Sequence, residues 1–155
     1  GLHFLWPIAE RNKVTVILNL PPRDLCLHLP PEVIDQPLLN LLDNAIFYSS
    51  GRPWSRVELE VKLDARDKNA PVAIEVRDQG VGMSVEQEER LFSPRFSAKG
   101  TKGHGMGLYI AQKLVTAVGG EICCVRSERW FGSTFQLRLP LALGKPGQRA
   151  AEGAS

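Results

Sequence analysis

Two asparagines raise the first chemical question. Asn40 and Asn44 lie in Leu38-Leu39-Asn40-Leu41-Leu42-Asp43-Asn44-Ala45, and a spacing of four puts both amides on one stripe of a helix. A carboxamide among leucines is costly unless its hydrogen bonds are met. The pair therefore either braces backbone or offers neutral oxygens to a hard cation such as Mg²⁺. A second signal is Val76-Arg77-Asp78-Gln79-Gly80-Val81-Gly82-Met83. Here a carboxylate ends an apolar run, and two glycines mark sharp turns or a close approach. Asp78 is placed to accept from an exocyclic amine such as that of adenine, or it is a solvated residue on a glycine turn. In the third, Gly103, Gly105 and Gly107 lead into Leu108, Ala111, Val115 and Val118. Glycines entering a helix leave free N–H groups and the positive dipole end open to a phosphate. The spacing is neither G-x-x-x-x-G-K-[ST] nor a G-x-G-x-x-G that follows a strand.

The elements that must position these residues follow from periodicity. Val14 to Leu20 is a β-branched run closed by Pro21-Pro22 and predicts a strand. From Pro31 to about Ser50 apolar residues recur at helical spacing through Leu38, Leu41, Leu42, Ala45 and Ile46, with Glu32 and Asp35 near the start. Pro37 either sits in the first turn of this helix or kinks a longer one. Arg56 to Leu63 alternates apolar and charged residues, and Val72 to Arg77 is a second strand. The polar stretch between them predicts an antiparallel hairpin. A short acidic helix near Val85 to Leu91 and a helix from about Gly107 to Val118, ended by Gly119-Gly120, come next. Strands over Glu121 to Ser127 and Ser133 to Leu139 complete the order. This sequence of elements implies a two-layer α/β sandwich, a mixed and largely antiparallel sheet with about three helices on one face.

Composition sets the outer limits. A chain of 155 residues with 43% hydrophobic and 23% charged residues has the makeup of one soluble domain, here residues 1–143. A formal charge of +2 makes no electrostatic case for nucleic acid. Cys26 and the vicinal Cys123 and Cys124 fit neither a disulfide framework nor a zinc site, and are expected as buried thiols in a reducing cytoplasm. No run approaches the ~18 apolar residues of a membrane span. Residues from about 144 onward drift to Ala, Gly, Lys and Gln and are expected to be a disordered tail. Gly1 in place of a start methionine reads as the beginning of a piece of something longer.

Taken in order, the motifs resemble the four boxes of one family. Asn40-Leu41-Leu42-Asp43-Asn44-Ala45 is similar to its N box, and Asp78-x-Gly80-x-Gly82-Met83 to its first glycine box. Leu91-Phe92-x-Pro94-x-Phe96 is similar to its F box, and Gly103-x-Gly105-x-Gly107-Leu108 to its second glycine box. The family is the catalytic, ATP-binding domain of bacterial two-component sensor histidine kinases, within the gyrase, Hsp90, histidine kinase and MutL superfamily. Gly119-Gly120-Glu121-Ile122, then Ser127, Gly132-Ser133-Thr134-Phe135 and Leu139-Pro140, extend the resemblance over about residues 4–140. It implies the Bergerat ATP-binding fold, with ATP and Mg²⁺ as ligands. Asn44 would be a direct ligand of the metal, and Asn40 a second ligand or a water-positioning neighbour. Asp78 would receive the adenine amino group, with Gly80, Gly82 and Met83 shaping the base pocket and Tyr48 lining it. Gly103, His104, Gly105, Met106, Gly107 and Leu108 would cover the phosphates, and Lys99 would touch the terminal one.

The resemblance also implies a division of labour. ATP-hydrolysing members of the superfamily carry a glutamate base where this chain has Asn40, and an amide cannot accept a proton. The implied acceptor is a histidine on a separate dimerisation domain, which passes the phosphoryl group to a response-regulator aspartate. His3 and His28 lack the acidic neighbour of such an acceptor. The implied chain is a soluble, monomeric cytoplasmic module, either standing free or forming the cytoplasmic part of an inner-membrane sensor. Two departures stand out: Phe47 replaces the usual basic residue, and Arg95 replaces a common phenylalanine. They leave open a degenerate module that binds nucleotide or a partner without catalysis, and the superfamily also holds serine kinases of the anti-sigma type.

Overall fold

A computed structural model describes residues 10, 13–21, 25–52, 55–94 and 107–143. Five strands form one sheet in the order β1-β2-β3-β5-β4: β1 is Thr15–Asn19, β2 Arg56–Leu63, β3 Val72–Asp78, β4 Glu121–Glu128 and β5 Gly132–Leu139. β1 runs parallel to β2 and every other pairing is antiparallel, the mixed arrangement expected from the sequence. Helices α1 (Pro31–Ser49), α2 (Val85–Arg90) and α3 (Gly107–Ala117) lie on one face. The stretch 144–155, expected as a tail, lies outside the described residues.

Alternation along the strands builds the core. Val57 and Leu59, Val72, Ile74 and Val76, and Phe135, Leu137 and Leu139 are all buried. They meet Leu41, Leu42, Ala45 and Ile46 of α1 and Leu108, Ala111 and Val115 of α3 in one cluster. Each fully buried Leu or Val contributes about 2 kcal/mol, so this cluster holds the two layers together. Among the described residues, the Ser49 hydroxyl is fully buried without a hydrogen-bond partner.

Local signals set the helix limits. α1 starts with Pro31 in its first turn and carries Pro37 inside it, so Pro37 belongs to the longer helix rather than to its start. α2 begins at a capping box: Ser84 Oγ accepts the Gln87 N–H and Gln87 Oε1 accepts the Ser84 N–H. α3 stops at Gly119, where φ is +84°. The Gly119 N–H donates to Thr116 and the Gly120 N–H to Val115, a left-handed cap that glycine adopts without steric penalty. The cysteines differ from expectation. Cys26 is exposed and Cys123 and Cys124 are half-buried, because Cys26 lies outside the strands and β4 is an edge strand.

Candidate functional site

The site begins at the end of β3. Strand register sets Asp78 opposite Val57 on one side and Ser133 on the other, and leaves it 6% exposed. Its Oδ1 accepts the N–H of Gly80 at 2.9 Å and of Ser133 at 3.2 Å. Among the described residues Oδ2 accepts none. Burial pushes the Asp78 carboxyl up to about 6, while the two backbone bonds pull it down. One oxygen is thus fixed by the protein, and the other remains as an acceptor for a donor that arrives from outside.

Close backbone approaches fix this end. A Cβ on Gly80 would fall onto the Tyr48 carbonyl, 2.6 Å from its carbon. The neighbouring Val81 N–H donates to that same carbonyl at 3.3 Å, so the loop after β3 is docked on the last turn of α1. Gly82 has φ +65°, and a Cβ there would lie 2.7 Å from the Glu128 carbonyl carbon. Gly132, with φ +120°, sits equally hard against the backbone of Asp78. Met83 is buried, and its N–H donates to Ser127 Oγ at 3.0 Å. That hydroxyl shares a 2.8 Å hydrogen bond with Ser133 Oγ. Ser127 and Ser133 therefore tie the glycine loop to the strands that carry Asp78. Sequence reasoning gave them no role; the available signal was Ser133 at a strand start directly after Gly132.

The N-box helix supplies the other end. Asn40, Asp43, Asn44 and Phe47 lie on α1 at the border of its buried face. Asn40 Nδ2 donates to the Gly107 carbonyl at 2.9 Å, so one of the two amides braces the first residue of α3. Asn44 is half-buried and its side chain makes no hydrogen bond among the described residues. An unengaged amide oxygen of this kind suits a hard cation on a phosphate chain. The Tyr48 hydroxyl is raised first by burial and then by the Asp78 charge, which places helix end and strand end in one electrostatic neighbourhood. Phe47 meets Tyr48 edge-on, centroids 5.5 Å apart at 80°. Leu108 packs into the core from α3. Lys99, Gly103, His104, Gly105 and Met106, with Arg95 and Phe96, lie outside the described residues.

A mixed five-stranded sheet with helices on one face, a strand-end aspartate whose following loop docks on α1, and an amide stripe beside a second helix are the frame of one class of domain. The family model described as "Histidine kinase-, DNA gyrase B-, and HSP90-like ATPase" matches residues 31–143, and the chain belongs to that family. It is 34% identical over 147 residues to the autoinducer 2 sensor kinase/phosphatase LuxQ of Vibrio vulnificus, covering 90% of this chain and 17% of that protein. It is 33% identical over 156 residues to the sensor histidine kinase RcsC of Escherichia coli, covering 96% of this chain and 16% of that one. The chain thus spans less than a fifth of either relative. Among solved structures, a nucleotide-free catalytic domain of histidine kinase ThkA matches with a TM-score of 0.75 and 25% identity, over 91% of this chain and 88% of that chain. The mycobacterial sensor histidine kinase MprB shares the fold, with a TM-score of 0.72 and 22% identity over 92% and 93% of the two chains.

Proposed function

We propose that this chain is the catalytic module of a sensor histidine kinase: it binds Mg²⁺-ATP and presents the terminal phosphoryl group to a histidine on a separate domain, for relay to a response regulator. The observation that carries the reading is Asp78, buried, held through Oδ1 by two backbone N–H groups and left with Oδ2 as an acceptor. Adenine's amino group is the donor that matches. Gly80 and Gly82, which could not carry a side chain here, keep the loop beside the carboxylate thin.

Asn44 and Asn40 would hold the metal through their amide oxygens, and Mg²⁺ would supply charge neutralisation for the phosphates. Asn40 bears on selectivity as well as binding. An amide has no basic lone pair to take a proton from water, so ATP is held without a base for hydrolysis. Phosphoryl transfer is chiefly positioning and charge stabilisation, and here the chain's own residues do the positioning. A solved complex pairs ThkA with the response regulator TrrA, which supports the same downstream partner class here.

Phe47 favours a second reading, a module that binds without catalysis, because an apolar ring replaces a cation in the N-box helix. Calorimetric titration with a non-hydrolysable ATP analogue, with and without Mg²⁺, tests the binding step. Tight Mg²⁺-dependent binding that Asp78→Asn weakens supports the proposal. Folded wild-type protein that takes up no nucleotide overturns it. Phosphorylation of a supplied histidine domain then separates the kinase from the non-catalytic binder.

A further inference from the structure

One strand of the sheet changes phase just before it reaches the site. In β4, Ile122 faces Leu137 and Cys124 faces Phe135, on the buried side of β5 that also carries Ser133. A regular ladder would next set Arg126 against Ser133, because residues on one face recur every second position. The observed register skips Val125 instead: Arg126 falls opposite Thr134, and Ser127 opposite Ser133. Val125 is thus a one-residue bulge, 54% exposed, and the Cys124 thiol spans it to the Arg126 carbonyl at 3.4 Å. The bulge turns Arg126 outward, where it pairs with Glu128 at 2.8 Å, and brings a serine hydroxyl to the inner face. A bulge gives up ladder hydrogen bonds, and beside a binding site its usual effect is to re-aim a side chain.

What the re-aimed strand end meets is the loop that follows Asp78. The Trp130 N–H donates to the Val81 carbonyl at 2.7 Å, Gly82 lies against the Glu128 carbonyl, and the Met83 N–H donates to Ser127 Oγ at 3.0 Å. Three successive loop residues are therefore docked on the chain just past the bulge. Of these three contacts only the last uses a side chain of β4, so it can be changed without moving backbone. Ser127 Oγ also lies 2.8 Å from Ser133 Oγ, and the Ser133 N–H holds Asp78 Oδ1. One hydroxyl thus touches both supports of the carboxylate, the loop that follows it and the strand residue beside it.

We propose that the Val125 bulge is a phasing device and that Ser127, which it turns inward, is a positioning residue for base recognition. Its hydroxyl sets Met83 and Ser133, and through them the direction in which Asp78 Oδ2 faces an exocyclic amine. The inference rests on the reading of Asp78 as the adenine acceptor. Ser127 acts through that carboxylate rather than on the base, and the useful geometry is narrow, since a hydrogen bond weakens steeply as its angle closes. A regular ladder would put a guanidinium where the hydroxyl stands. Arg126 in that place would bring a cation toward Asp78 and compete for its free oxygen.

Calorimetry with two non-hydrolysable ATP analogues, identical but for the purine's exocyclic amino group, tests the proposal. Wild type is expected to prefer the amino form by about tenfold, the scale of one hydrogen bond to a charged group. Ser127→Ala should lower that preference to about twofold and change affinity for the other form by less than about twofold, because a positioning role couples to the amino group alone. Ser127→Thr keeps the hydroxyl and should keep the preference. Deletion of Val125 restores a regular ladder with Ser127 still opposite Ser133, and should keep it as well. Ser127→Cys, close in size but a weak acceptor, makes the same test if the alanine variant does not fold. A Ser127→Ala protein that loses both forms equally, or that keeps the full preference, overturns the proposal and leaves Ser127 a plain brace. A Val125 deletion that unfolds or loses the preference overturns the phasing role. Wild type that binds both forms alike overturns the adenine reading and the proposal with it, so the two failures are told apart by the wild-type titration.

Discussion

The two ends of the proposed nucleotide site are built by different means. At the Asp78 end, strand register, three crowded glycines and two backbone hydrogen bonds fix the acceptor. At the Asn44 end, side chains lie on one helix stripe, and a hydrogen bond from Asn40 Nδ2 to the Gly107 carbonyl reaches α3. A backbone-built end tolerates almost no change of shape, whereas a side-chain-built end can be retuned one residue at a time. Phe47, in place of a basic residue, is such a change, and it falls on the second end.

The most damaging change should therefore be Gly132→Ala, which adds strain at φ +120° and a clash with the backbone of Asp78. Overpacking and backbone strain each cost about 1–3 kcal/mol, so a loss of about 3 kcal/mol is expected in urea unfolding. An unchanged unfolding midpoint would break the contrast. Asp78→Asn keeps the shape and an oxygen for the backbone donors, so it should not destabilise the fold at neutral pH. Loss of a charged acceptor is worth about 1.5–3 kcal/mol, or roughly 10- to 100-fold in affinity for an ATP analogue, read by calorimetry.

Acid sharpens the same point. With Asp78 titrating at about 6, nucleotide affinity should fall about tenfold from pH 7 to pH 5 as the acceptor is protonated. The stability term has the opposite sign. The folded pKa lies above the unfolded 3.8, so between those values the folded state binds more protons, and this group's contribution to stability declines as pH rises through that window. Asp78→Asn should flatten both profiles.

Smaller effects belong to the helix. Phe47→Lys should strengthen Mg²⁺-ATP analogue binding, by up to about fivefold for one surface-level charge. A larger gain would mark the native site as disabled. Ser49→Ala removes a buried hydroxyl that has no hydrogen-bond partner among the described residues, and a gain of about 1 kcal/mol in thermal unfolding is expected.

Much of this was legible in the sequence, because local patterns write local structure. The alternation of Arg56 to Leu63 defined β2 to the residue, and the spacing of Leu38 to Ile46 defined α1. Family resemblance assigned Asp78, Gly80 and Asn44 to one site as an expectation, and the Asp78–Gly80 bond is part of the fold. What stayed hidden was long-range: the pairing of Asp78 with Ser133 joins residues 55 apart, and no periodicity records it. The serine pair of β4 and β5 was hidden for the same reason. The exposure of Cys26 depends on its place outside the sheet, which composition cannot report.

The cap that ends α3 also sets its mechanics. A Cβ on Gly120 would strike the Arg138 carbonyl and sit 2.8 Å from Val115, so helix and sheet are joined there with no slack. Any tilt of α3 would turn about that junction. The 11 residues of α3 make an arm of about 16 Å, and a tilt of about 10° about its base would swing Gly107 by about 3 Å. The 2.9 Å bond to Asn40 lies at the far tip of that arm, where leverage is greatest and the smallest rotation is felt first.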